Sequence, residues 1–147
     1  MDVFEREVRD AFRHYRVTSR DLTRPWGGFL RVDESQAEDF TLEFFGEHCS
    51  TGTPKLLLIA PRRRLSLQVH RRRSEVWKVV WGSVGAQVGG KDHLLVQGDT
   101  VAVGVNQPHR LYGLEGFALV AEVWVHEDPA DPSDEHDIER LQDDHGR

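Results

Sequence analysis

The sequence predicts an all-β domain, a sandwich or barrel of short strands behind one amino-terminal helix. Two observations carry this expectation. From Pro61 onward, short runs rich in Val, Leu and Trp recur at 65–70, 76–81, 84–88, 94–96, 101–105 and 117–125. Turn signals separate them at Gly82, Gly89-Gly90, Gly98, Gly113 and Gly116, and regular short strands broken by glycine are the pattern of sandwiches and barrels. At 147 residues the chain is long enough to build one core of its own.

Each element follows from local pattern. Residues 3–16 read as a helix, because Phe4, Val8, Ala11, Phe12 and Tyr15 fall on one stripe with charged residues opposite. That stripe needs a cover, either the rest of the domain or a second copy of the chain. Residues 18–23 form a polar connector, and Arg24-Pro25-Trp26-Gly27-Gly28 a rigid turn. A short strand is expected at 29–32, an acidic loop at 33–39, a strand at 40–45 and a turn-rich loop at 46–54. His48 and Cys49 adjoin in that loop without a second Cys or His at zinc-site spacing. The apolar run at 55–60 reads as a buried strand, and Gly89-Gly90 suits a tight hairpin. Residues 127–137 are acidic and contain prolines, an extended connector that composition alone would leave disordered; 138–141 have room for one helical turn. The expected division is a helix and connector at 1–23 and a barrel with its tail at 24–147.

Composition narrows the function. A net charge of −6 argues against nucleic acid as the partner. Cys49 is the sole cysteine, so no intrachain disulfide forms. The amino terminus has no secretory pattern and no run of about 18 apolar residues is present, which points to a cytoplasmic protein with no membrane partner. No glycine-rich phosphate loop and no Gly-x-Ser-x-Gly elbow occurs.

The informative stretch is 64–82, RLSLQVHRRRSEVWKVVWG. Gln68 and His70 share one face of a strand, while Leu67 and Val69 take the other. After a turn at 71–74, Glu75 opens a second run that can pair antiparallel to the first and bring its carboxylate beside the imidazole. An amide oxygen, an imidazole nitrogen and a carboxylate make part of a cage for a divalent metal, and His109 is the candidate fourth ligand. The bland alternative is a solvated polar face. Against it, these polar residues stand in apolar runs, where unpaired polar groups are costly to bury.

The spacing Gln68-x-His70-x4-Glu75-x6-Gly82 resembles the first cupin motif, with Gln in place of its first His, and Gly98 followed by His109 resembles the second. More narrowly, the chain is similar to the cupin domain of type II phosphomannose isomerases. The shared words are Arg24-Pro25-Trp26-Gly27, Leu65-Ser66-Leu67-Gln68-x-His70, Arg73-x-Glu75-x-Trp77-x-Val79-Val80-x-Gly82, His109-Arg110-Leu111, Glu122-Val123 and Asp137-Ile138-x-Arg140-x2-Asp143-x2-Gly146-Arg147. They cover roughly 24–147. The sequence departs from the motifs at Arg62, Gly104, Asn106 and Gly113, and carries extra residues around 48–53.

The resemblance implies a cupin jelly-roll barrel with the tail folded back on it. It also implies interconversion of mannose 6-phosphate and fructose 6-phosphate through an enediol. A divalent metal held by Gln68, His70, Glu75 and His109 would act as Lewis acid, and this donor set suits Zn, Mn, Fe, Co or Ni. Glu122, in the apolar run FALVAEVWV, is the candidate base, since burial raises a carboxyl pKa. Its alternative role is a structural partner for an arginine. Arg110 and Arg147 stand at family-matching positions for the substrate phosphate, with Arg110 also a catalytic candidate. Lys55 and Lys78 are weaker options, and Lys78 falls on the face opposite Glu75. The arginines at 62–64 and 71–73 read as solvated turns, except that Arg73 can pair with a carboxylate. The competing functions are a non-catalytic cupin that binds a sugar or sugar phosphate, and a metal-dependent oxygenase. Homodimers are common among such cupins, and the stripe of Phe4, Val8 and Phe12 is available to such a contact.

Overall fold

A computed structural model describes residues 3–144. Helix α1 (Val3–Phe12) precedes strands β1 (Val17–Arg24) and β2 (Gly27–Val32); a 3₁₀ turn (Glu34–Gln36) then leads into helix α2 (Ala37–Phe45). The remaining elements are strands: β3 (Thr53–Ile59), β4 (Leu67–Val69), β5 (Arg73–Trp81), β6 (Ser83–Val88), β7 (Lys91–Val96), β8 (Thr100–Val103), β9 (His109–Gly113), β10 (Ala118–His126) and β11 (Glu139–Gln142). They form a six-stranded sheet in the order β1-β2-β3-β10-β5-β8 and a five-stranded sheet in the order β11-β4-β9-β6-β7. The pairs are antiparallel throughout. This is the all-β jelly roll that the sequence predicts. Among the described residues no helix is long and apolar enough to cross a membrane.

Strand alternation divides the core in two. Leu57 and Ile59 of β3, Trp77 and Val79 of β5, and Ala118 and Val120 of β10 point between the sheets, where they meet Val84, Ala86 and Leu111. Leu56, Leu119, Ala121 and Val123 point outward and are covered by Phe40 and Phe44 of α2 together with Phe4, Val8, Ala11, Phe12 and Tyr15. The helical stripe is therefore used within the chain: Phe4 lies 5.5 Å from the Trp81 ring and 4.9 Å from that of Phe117. These contacts bury the stripe only in part. Tight turns follow glycine as expected. Gly89 and Gly90, both at positive φ (58° and 82°), join the closing pair Val88 and Lys91 of the β6–β7 hairpin. Gly82 has φ 79°, and a Cβ there would stand 2.7 Å from the Phe117 carbonyl oxygen.

Four local expectations are corrected. Residues 40–45 are helical, because Ala37, Phe40, Thr41 and Phe44 are buried on one helical face, and Gly46 ends the helix at φ 68°. The polar connector at 18–23 is the body of edge strand β1, which takes backbone hydrogen bonds from β2 while most of its side chains stay in solvent. That strand runs up to Arg24, across the expected division between 23 and 24. The tail's expected helical turn is instead edge strand β11, paired with β4. Finally, β4 and β5 are not a hairpin; they lie in opposite sheets, and Glu75 reaches His70 across the barrel interior rather than along a ladder.

Candidate metal centre

The barrel encloses a cavity of about 220 Å³ whose lining includes Gln68, His70, Arg73, Glu75, His109 and Glu122. Gln68 of β4 sits opposite His109 of β9 in the ladder, so both face inward together, and His70 follows Gln68 by two. Glu75, the inward residue of β5, completes the group. His70 Nε2 is 3.3 Å from Glu75 Oε2, and His109 Nε2 is 3.5 Å from Glu75 Oε1. One ligand atom from each of His70, Glu75 and His109 lies within 4.8 Å of the others, and no other such cluster occurs among the described residues. All three side chains are buried.

Both imidazoles are oriented by backbone. His70 Nδ1 hydrogen-bonds the Asp137 carbonyl at 2.6 Å, and His109 Nδ1 the Gln107 carbonyl at 2.8 Å. A carbonyl only accepts, so each Nδ1 carries a proton, and His70 Nε2, which accepts from Arg73, presents a lone pair inward. His109 Nε2 is buried without a hydrogen-bond partner. A proton on His109 or a bound cation can meet the charge of Glu75 here, and two imidazole nitrogens with a carboxylate are a donor set that fits a divalent ion. Arg73 supplies part of that charge already. Its Nε donates to Glu75 Oε2 at 2.9 Å and its Nη2 to His70 Nε2 at 3.1 Å, so an ion bound through His70 Nε2 must displace the second bond.

The electrostatics follow from this crowding. Burial pushes the Glu75 carboxyl up, but His109, Arg73 and His70 outweigh it and hold the group far below the usual carboxylate range. Burial drives His70 down to about 4, so it is neutral and ready to ligate near pH 7. His109 shows the opposite balance: burial lowers it, and Glu75 more than restores it, leaving it raised.

Glu122 lines the same cavity from β10, the strand beside β5. Burial first, then the charge of Glu75, raises its carboxyl to about 7. Trp77 Nε1 donates to Oε2 at 3.0 Å and Trp124 Nε1 to Oε1 at 2.9 Å. Its cross-strand neighbour on β3 is Lys55. The Lys55 ammonium is 2.8 Å from Glu135 Oε1 and lies over the Trp124 and Phe29 rings at 4.1 and 4.5 Å.

The tail closes the site. Ser133 Oγ and the Asp134 carbonyl accept from Arg73, and Glu135 holds Lys55. The Asp137 carboxylate accepts from the backbone N–H groups of Arg71 and Arg72 and from Ser133 Oγ. Asp137→Ala is therefore expected to cost about 2–4 kcal/mol in urea unfolding at pH 7, three charge-assisted bonds being lost together. Although burial raises Asp137, Ser133 and the two amides lower it further, so its folded pKa is depressed. Its contribution is complete above the unfolded value and fades as pH falls through the folded one. The gap between wild type and variant should close in acid.

The family described as mannose-6-phosphate isomerase C-terminal matches residues 11–143. The chain belongs to this family. Among curated relatives, the mannose-1-phosphate guanylyltransferase of Salmonella montevideo is 27% identical over 140 residues, 92% of this chain and 25% of that protein. The alginate biosynthesis protein AlgA of Pseudomonas aeruginosa is 30% identical over 132 residues, 86% of this chain and 23% of that protein. The chain thus spans about a quarter of the length of these relatives. A solved cupin 2 conserved barrel domain protein from Salinispora arenicola superposes with a TM-score of 0.50 at 17% identity, covering 55% of this chain and 68% of that one. At that identity the likeness concerns the cupin fold alone.

In this mannose-6-phosphate isomerase C-terminal domain, Gln68, His70, Glu75, His109 and Glu122 line one cavity, as their sequence positions led us to expect. Arg110 does not join them. It follows inward-facing His109 on β9, so alternation turns it to the outer face of the sheet, where Nη2 donates to Gln142 Oε1 at 2.7 Å. That position is unsuited to a phosphate inside the barrel. Arg147 lies outside the described residues. Lys55, a weaker option in the sequence, lines the cavity, and Arg73 is buried and paired with the Glu75 carboxylate, the alternative its sequence position left open. The signal for Lys55 was a lone charge at the inward phase of an apolar run, with Leu57 and Ile59. Trp77 and Trp124 could have been found two residues beyond Glu75 and Glu122. Asp137 opens one of the family words, but the two backbone N–H groups it holds are 65 and 66 positions away, so no local pattern marks that contact.

Proposed function

We propose that the chain is a metal-dependent isomerase that interconverts mannose 6-phosphate and fructose 6-phosphate. The observation that carries this reading is one cavity lined both by a divalent-ion donor set and by a carboxyl of near-neutral pKa. His70, Glu75 and His109, with Gln68 beside them, would hold a divalent ion, and that ion would supply Lewis-acid stabilisation to substrate oxygens. Aldose–ketose exchange moves a proton between adjacent carbons. Glu122 is suited to take it from one carbon and return it to the next, because an acid–base group works best with a pKa near the working pH. Its two tryptophan N–H donors hold the carboxylate plane in place, and each oxygen keeps a lone pair for the proton. Lys55 is placed to donate to a substrate oxygen beside Glu122.

Charge supports an anionic substrate. Arg24, Lys55, Arg73 and Arg140 line the cavity against Glu75, Glu122 and Glu135, and a bound divalent ion shifts the balance further positive. The test is a coupled assay for mannose 6-phosphate turnover on protein loaded in turn with Zn, Mn, Fe, Co and Ni. Turnover with at least one ion is expected, and none with any would overturn the isomerase.

A second reading rests on Arg73. Its guanidinium already satisfies Glu75 Oε2 and His70 Nε2, which is what a metal-free sugar-binding barrel would need. Thermal stabilisation by mannose 6-phosphate, without turnover and without retained metal, would favour it.

A further inference from the structure

Arg110 faces away from the cavity, so the phosphate of an anionic substrate needs another anchor. Of the cationic side chains lining the cavity, most are already engaged. Arg73 is bonded to Glu75, Lys55 to Glu135, and Arg24 Nε lies 3.0 Å from Asp21 Oδ2. Arg140 differs. It lines the same cavity from edge strand β11, and among the described residues no carboxylate pairs with it. In the β11–β4 ladder it stands opposite Gln68, so the two side chains share a face. It is exposed, at the rim, whereas His70, Glu75 and His109 lie buried within.

We propose that Arg140 is the phosphate anchor of this site, holding the terminal phosphate of a sugar phosphate at the rim while the sugar carbons reach inward past Gln68. This rests on the sugar-phosphate reading given above. The chemistry suits the position: a guanidinium with no internal carboxylate presents a planar fork to phosphate oxygens, and a rim location leaves the doubly charged group partly hydrated. The buried cations are less available, since each would have to give up a carboxylate first.

The test uses inorganic phosphate and mannose 6-phosphate as probes, titrated by calorimetry into the full chain and its Arg140→Gln, Arg140→Lys and Arg20→Gln variants. Arg20→Gln controls for net charge. Arg140→Gln should weaken both probes by roughly 10-fold or more, in the range of a charge-assisted bond. Arg140→Lys should recover part of the loss, and Arg20→Gln should change neither. Thermal unfolding of each variant reports folding separately. Equal affinity of wild type and Arg140→Gln, or no phosphate binding by a folded wild type, would overturn the assignment. Because binding is read without turnover, loss of phosphate affinity in a protein that isomerises nothing would sustain the anchor and refute only the isomerase.

Discussion

His109→Ala is expected to strip the protein of its metal. Purified wild type should carry a divalent ion detectable by elemental analysis, and the variant should lose affinity by more than the roughly 10–100-fold typical when a mere outer-shell partner is removed. His109 is the donor with the fewest alternatives. Its Nδ1 is committed to Gln107, its Nε2 faces only Glu75 Oε1, and it is 1% exposed. His48→Ala is the matched control, because His48 is exposed and paired with Glu38 at 2.8 Å. A His109→Ala protein that folds by circular dichroism and keeps its full metal complement would show the donor set to be wrong.

Glu122→Gln should leave metal content intact while lowering kcat about 10²–10⁴-fold, the usual contribution of a positioned base. In wild type, kcat/KM should climb as pH rises through about 7, as the carboxyl loses its proton, and then level. That acidic limb should be missing from the residual activity of the variant. A limb that persists unchanged would assign it to another group. Stability offers an independent check. The folded pKa of about 7 lies above the ordinary 4.5, so between these values the folded state holds a proton that the unfolded chain has released. Wild type therefore loses stability from this group as pH rises across that window, and Glu122→Gln does not. The variant carries its own penalty, since one amide nitrogen must now face a tryptophan N–H, costing about 1–3 kcal/mol. Its deficit relative to wild type should shrink between pH 5 and pH 8.

Much of this site was legible because β-strands have a period of two. Once 67–69 and 118–126 are strands, the inward positions of Gln68, His70 and Glu122 follow from alternation, and a polar side chain inside an apolar run demands a reason. The same rule, carried one step further, turns Arg110 outward and Lys55 inward. Family position outweighed it at Arg110. The helix at 37–45 reads as a strand because Phe40, Leu42 and Phe44 alternate, while Phe40 and Phe44, four apart, fit a helical face equally well over so short a span.

By itself, then, the sequence determined the fold class, the inward residues of the strands and the donor types at the centre. It did so because alternation and turn chemistry are local. Tertiary structure alone decided the rest. Sheet membership set Glu75 across the barrel from His70, and the fold-back of the tail brought Asp137 to His70 and Arg140 beside Gln68. Those contacts join residues some 67 positions apart in the case of Asp137 and His70, and no local periodicity encodes a pairing of that range.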